Sequence, residues 1–201
     1  MIKNIIFDIG NVLADFRYNA YMDELGFSEE VADAFRKRVI ENPLWDALDL
    51  GKEFEEEIIR RMYAAVPEYE KECDAFFQNI LGIVETYPYT MEWIQSLKAA
   101  GYRIYILSNY PESMFKLHDR EKFEFTKIAD GVVVSAFEKM SKPDPEIYKL
   151  LLNRYGLKAE ECLFIDDRKV NVDAAVNLGI KAFVFEGYEN ALLKMKKYLA
   201  N

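Results

Sequence analysis

Five short apolar runs separated by helical periods constrain this chain more than any other feature. They are Lys3 to Asp8, Tyr102 to Ser108, Gly131 to Ser135, Glu161 to Ile165 and Lys181 to Phe185. Each is rich in β-branched, aliphatic or aromatic residues and poor in charge, which is the pattern of strands buried on both faces. Helical spacing follows in Met91 to Ala100, Pro145 to Tyr155 and Asn171 to Leu178, the first and last of which stop at Gly101 and Gly179. Strands alternating with helices imply a parallel sheet with right-handed crossovers, so the fold class is α/β with a Rossmann-like core.

The stretch from Arg17 to Thr86 breaks the alternation. It reads as successive helices over Asn19 to Leu25, Ser28 to Glu41, Lys52 to Ala65 and Tyr69 to Leu81, with Pro43 and Pro67 as punctuation. Ser28 followed by Glu29-Glu30 is an N-cap with an acidic first turn. A helical block this long is more than one crossover. The expectation is an inserted helical-bundle cap over residues 16–86, on a core formed by residues 1–15 and 87–201. The last helix, Asn190 to Ala200, is basic and amphipathic and is expected to pack on the sheet.

The chain has 201 residues and a net charge of −9. That balance excludes a general nucleic-acid or anionic-membrane surface, which needs clustered Lys and Arg. A phosphate ligand would need a local cation. No apolar run reaches the roughly 20 residues of a membrane span. Cys73 and Cys162 are widely separated and form no CxxC or Cys/His pattern, so both are expected to be reduced and buried. A cytoplasmic location is the expectation.

Polar residues collect at the C-terminal ends of the strand candidates, where open α/β sheets place their ligand crevice. The first strand ends in Asp8 and the second in Ser108-Asn109. Lys142 follows the third, and Asp166-Asp167 with Asn171 follow the fourth. Three converging carboxylates repel unless a divalent cation joins them, and oxygen donors favour Mg²⁺. Mg²⁺ with a lysine neutralises a phosphate dianion, and a carboxylate can attack phosphorus.

The segments Phe7-Asp8-Ile9-Gly10-Asn11-Val12-Leu13, Leu107-Ser108-Asn109, Ser141-Lys142-Pro143-Asp144 and Ile165-Asp166-Asp167 with Asn171 together resemble the haloacid dehalogenase-like superfamily. The resemblance implies that Asp8 is nucleophile and metal ligand, with the Gly10 carbonyl, Asp166 and Asp167 completing an Mg²⁺ site. It implies that Ser108 and Asn109 hold phosphate, that Lys142 steadies nucleophile and transferred group, and that Asn171 supports the site from behind. The substrate would be a small phosphorylated metabolite. The Gly-Asn-Val-Leu form of the first motif resembles a branch containing sugar-phosphate phosphatases, glucose 1-phosphate among their substrates.

One position departs from the pattern. Phosphatases of this superfamily usually carry Asp two positions after the nucleophile, as general acid and base, and here that position is Gly10. Losing such a group typically costs 10²–10⁴-fold. A 2-haloacid dehalogenase needs no such acid, but the Asp166-Asp167 pair argues against that alternative. A catalytically weak domain that binds a phosphorylated ligand or a protein is the other. Asp15 is expected to be a linker residue rather than a substitute acid, and His118 a solvated helix position. Asp144 is expected to cap the following helix. Trp45 is expected between two cap helices, packing cap against core. Arg17 and Tyr18 could face the cleft, and Tyr110 with Pro111 could shape the leaving-group pocket.

Overall fold

The computed structural model describes residues 1–199. Along the chain, β1 (Asn4–Phe7) is followed by a tight turn and β2 (Ala14–Phe16). The helices α1 (Tyr18–Glu24), α2 (Glu29–Phe35), α3 (Pro43–Leu50), α4 (Glu55–Ala65) and α5 (Glu70–Gln78) come next. Then follow β3 (Val84–Thr86), α6 (Thr90–Ala99), β4 (Arg103–Ser108), α7 (Glu112–Glu121), α8 (Glu124–Ile128) and β5 (Gly131–Val134). The chain continues through α9 (Ser135–Glu138), α10 (Pro145–Tyr155), β6 (Cys162–Asp166), α11 (Lys169–Asn177), β7 (Lys181–Val184) and α12 (Tyr188–Leu199).

Five strands form one parallel sheet in the order β5-β4-β1-β6-β7. β1 is central, so its C-terminal end lies between those of β4 and β6. Side chains alternate across the sheet with period 2. Ile5 and Phe7 join one apolar cluster, and Ile6 joins the other with Tyr105, Leu107 and Phe164. The first cluster runs without a break into the helical block through Tyr21, Phe35 and Phe76. Phe7 meets Trp93 edge-on at 4.8 Å between ring centroids, a contact worth about 0.5–1.5 kcal/mol beyond area burial.

The α/β class and the parallel sheet match the expectation, and strand ends differ from it by about one residue. Among the elements not expected are β2, β3 and α3. β2 and β3 pair antiparallel, Phe16 opposite Val84, at the two points where the chain leaves for the helical block and returns. The segment that the sequence reading treats as a connector around Trp45 is the helix α3. Asn42 caps it by accepting from the Leu44 N–H at 3.0 Å, Pro43 fills its first turn, and Gly51 ends it in the left-handed region at φ +64°. The expected helix Ser28 to Glu41 ends at Phe35, and a π-helical turn over Arg36–Ile40 takes its place. The expected Tyr69 to Leu81 helix stops at Gln78. Residue 200 of the expected last helix lies outside the described residues.

Candidate active site

Asp8 follows β1, and the turn after it is closed by three N–H groups, those of Val12, Leu13 and Ala14, donating to the Ile9 carbonyl. Asn11 adopts φ +55°, a left-handed conformation that asparagine tolerates better than most residues. The turn aims Asp8 into the crevice. Its Oδ1 accepts from the Ile9 N–H at 2.7 Å and from the Ser108 hydroxyl at 2.8 Å, and it lies 2.9 Å from Lys142 Nζ.

Lys142 is the pivot. Its ammonium also reaches Asp166 Oδ2 at 2.6 Å, and it is 3% exposed. Lys142 is therefore a buried cation bridging two buried carboxylates. Burial disfavours its charge, but Asp166 and Asp8 outweigh burial and raise its pKa. Burial pushes the Asp8 carboxyl up to about 7. Lys142 pulls it back, while Asp166 and Asp167 push it further up. Burial also raises Asp167, opposed by the hydrogen bond from Asn11.

The supporting residues fall into two layers. Asp166 Oδ1 accepts from the Arg168 N–H at 2.8 Å and from the Asn171 amide at 3.0 Å, and that amide also reaches Oδ2 at 3.1 Å. Asp166 thus has donors on both oxygens. Asn109 was expected to hold phosphate. Its side chain is instead committed to Lys142, accepting from the Lys142 N–H at 2.8 Å and donating to the Lys142 carbonyl at 2.9 Å. The reason is chain geometry: the 139–144 loop has no strand to fix it, and a reciprocal amide pair does so.

Asn11 is a site residue that the sequence reading did not single out. Its amide donates to Asp167 Oδ2 at 2.9 Å and its oxygen accepts from the Phe16 N–H, tying the Asp8 turn to the β6 end. The signal was a residue prone to left-handed geometry directly after Gly10.

The residues present fit a divalent cation. Carboxylate oxygens of Asp8, Asp166 and Asp167 lie within 4.8 Å of one another. Three carboxylates face a single ammonium, and burial, with mutual repulsion, pushes Asp8 and Asp167 toward neutrality. Asn171 Oδ1 is buried without a hydrogen-bond partner in the cavity wall, an acceptor left over for a ligand or its water. All these donors are hard oxygens, the set that Mg²⁺ prefers.

A cavity of about 250 Å³ opens between this cluster and the helical block. Asp8, Gly10, Lys142 and Asp167 form its floor, and Trp45, Asp46 and Asp49 of α3 reach it from the other side. Residues 45, 46 and 49 share a helix face. Tyr110 and Pro111 line it, as does Phe16, which packs on Trp45 at 5.6 Å between centroids.

His118 is buried rather than solvated, because α7 turns that face inward with Met114 and Phe115. The Ile80 carbonyl can only accept, so His118 Nε2 carries the proton at 3.1 Å and Nδ1 accepts from the Tyr110 hydroxyl at 2.7 Å. Burial lowers its pKa, so the ring is neutral. Arg17 turns from the cavity to Glu24 and to the Gly82 carbonyl, and Tyr18 packs on Phe16. Asp15 sits in β2 opposite Glu85, outside the cavity lining. Asp144 caps α10, accepting from the Glu146 N–H at 2.9 Å.

A Rossmann-like sheet with an acidic cluster and a lysine at its C-terminal edge defines a hydrolase class. The sequence matches the haloacid dehalogenase-like hydrolase family over residues 2–179, and the chain belongs to that family. It is 27% identical to a sesquiterpene phosphatase of Aspergillus oryzae over 178 residues, 89% of this chain and 87% of that protein. It is 25% identical to a D-ribitol-5-phosphate phosphatase of Bacteroides thetaiotaomicron, covering 91% of each. Among solved structures, a haloacid dehalogenase family enzyme of Bacteroides thetaiotaomicron, in complex with magnesium and inorganic phosphate, shares the fold. Its TM-score is 0.74 at 22% identity, with 95% of this chain and 99% of that chain covered.

Proposed function

We propose that the protein is an Mg²⁺-dependent phosphatase of small phosphorylated metabolites that works through an aspartyl-phosphate on Asp8. The observation that carries this is the Lys142 ammonium held 2.9 Å from Asp8 beside a cluster still short of positive charge. That is a site built for an anionic group and a cation together. The phosphatases among its relatives support the same reading.

In this reading Asp8, the Gly10 carbonyl and Asp167 would hold Mg²⁺, with Asp166 behind them. The ion supplies charge neutralisation for the transferred phosphoryl group. Ser108 and Lys142 orient Asp8 Oδ1, leaving the other carboxylate oxygen for attack on phosphorus. Lys142 also neutralises the phosphoryl oxygens. Asp166 and Asn171 keep the ammonium in place, and Asn109 fixes its backbone. Residues 16–86 act as the cap, with 1–15 and 87–201 as the core, and the cap shields the reaction from bulk water.

The resemblance suggests a sugar phosphate. The lining away from the floor is largely apolar, however: Phe16, Ile40, Trp45, Ile83, Val84 and Met114. Such a wall offers a polyol few hydrogen bonds, and it favours an alcohol with apolar surface. At about 250 Å³ the cavity takes only a small one.

Phosphate release from glucose 1-phosphate, ribitol 5-phosphate and benzyl phosphate, with and without Mg²⁺, tests the reading. Turnover is expected with Mg²⁺ alone and none in Asp8→Asn. Hydrolysis that persists in that variant or under excess chelator refutes it.

A further inference from the structure

Gly10 leaves the family's usual proton donor absent, yet the cavity contains few groups able to replace it. Asp8 is the nucleophile, and Asp167 is tied to Asn11 at the cation end. Lys142 is committed to two carboxylates. His118 has both ring nitrogens engaged, and its proton faces the Ile80 carbonyl rather than the cavity. The Tyr110 hydroxyl is given to His118, and burial, followed by Asp49, raises its pKa far above neutrality. Arg168 offers a guanidinium, which serves a phosphate as a hydrogen-bond donor rather than an alcohol as an acid. Asp46 is exposed to water. Asp49 remains.

Asp49 is half-buried and lines the same cavity as Asp8, and its backbone is fixed there. Its carbonyl accepts from the Ser135 hydroxyl, which in turn accepts from the Tyr110 N–H at 2.9 Å. Two residues on, Gly51 lies so close to α9 that a Cβ there would come within 2.7 Å of the Ala136 carbonyl oxygen. The helix is thus pressed onto the core at the end that carries Asp49. Resting on the phosphatase reading above, we propose that Asp49 is the catalytic acid and base, supplied across the cavity by the cap in place of the residue missing at position 10.

In the first step Asp8 forms a bond to phosphorus as the bond from phosphorus to the alcohol oxygen breaks, and the Asp49 carboxyl gives its proton to that oxygen. In the second, water attacks phosphorus and the Asp8–phosphorus bond breaks. Asp49 takes the proton that the water loses, which restores both carboxyls and releases phosphate. The role needs a carboxyl that keeps its proton near neutral pH. Burial, with added repulsion from Asp46 and Asp8, raises Asp49 to about 8 against the pull of Lys142 and Arg168.

Two substrates of similar size separate this role from a structural one. The p-nitrophenolate group leaves without a proton, whereas the benzyl alkoxide needs one. With Mg²⁺, kcat/KM reports the steps through departure of the alcohol. Asp49→Asn is expected to lower kcat/KM for benzyl phosphate by about 10²–10⁴-fold. The value for p-nitrophenyl phosphate should change far less. Equal losses on both substrates, or no loss on benzyl phosphate, overturn the proposal.

The wild type provides a second measurement that needs no variant. Its benzyl phosphate kcat/KM should fall as pH rises through about 8, as Asp49 loses its proton among Asp46, Asp8, Lys142, Arg168 and Tyr110. The p-nitrophenyl phosphate profile should lack that limb. Identical profiles overturn the assignment of Asp49 alone. A wild type that hydrolyses neither substrate overturns the phosphatase reading itself, and the inference with it.

Discussion

Lys142→Met is the most informative stability perturbation that the structure offers. The side chains of Lys142, Asp8 and Asp166 are 1%, 10% and 0% exposed, so water can do little to replace the ammonium. Methionine keeps most of the stem's packing near the Phe164 ring, which the Nζ approaches at 5.6 Å. What it removes is charge. Removing one partner from a buried ion pair costs about 3–5 kcal/mol, because the other charge is left uncompensated. For a chain of this size that corresponds to a Tm lowered by roughly 6–20 °C. Urea unfolding followed by the fluorescence of Trp93, which is 1% exposed, measures the loss directly. Adding Asp166→Asn in the Lys142→Met background removes one of the orphaned charges, so the double variant should be more stable than Lys142→Met alone. A loss below about 1 kcal/mol, or a double variant that is less stable still, would refute the idea that Lys142 compensates two carboxylates.

Four further outcomes are expected. Millimolar Mg²⁺ should raise the Tm of the wild type by mass action, and Asp167→Asn should abolish most of the rise; an undiminished rise places the ion elsewhere. Gly51→Ala combines a left-handed φ of +64° with a Cβ 2.7 Å from the Ala136 oxygen, so it should cost more than about 1–2 kcal/mol in urea unfolding. Tyr110→Phe should cost about 1–3 kcal/mol, because it leaves His118 Nδ1 buried without a donor. His118 itself is held neutral below its ordinary value, so its contribution is complete above pH 6.5 and is lost as pH falls toward its lowered folded pKa. His118→Gln should therefore lose less stability than the wild type between pH 7.5 and 5.5.

The sheet was legible because its strands are buried on both faces, and composition alone marks such runs. β2 and β3 were not, since three residues such as Ala14–Phe16 carry no period. α3 was within reach, since Asn42, Pro43 and Gly51 are start and stop signals, but its 8 residues are too few to show a clear helical period. The helix face that joins Trp45 to Asp49 went unread with it. The acidic cluster and Lys142 could be placed together because strand ends in a parallel sheet converge. Their partners could not. Asn109 grips a backbone 33 residues away, and His118 finds its acceptor at Ile80 in the helical block, pairings that no local pattern encodes.

The pairing of Phe16 with Val84 means that the helical block leaves and rejoins the core at one doorway. Its two ends are already held side by side, so closing the chain there requires little further entropy whatever the length between. A short turn could join β2 to β3 and leave the order of the parallel sheet intact, and so could a different block. Such an arrangement makes the helical block interchangeable. It also sets a condition on any exchange, for a replacement must bring its own carboxyl to the place where Asp49 now stands.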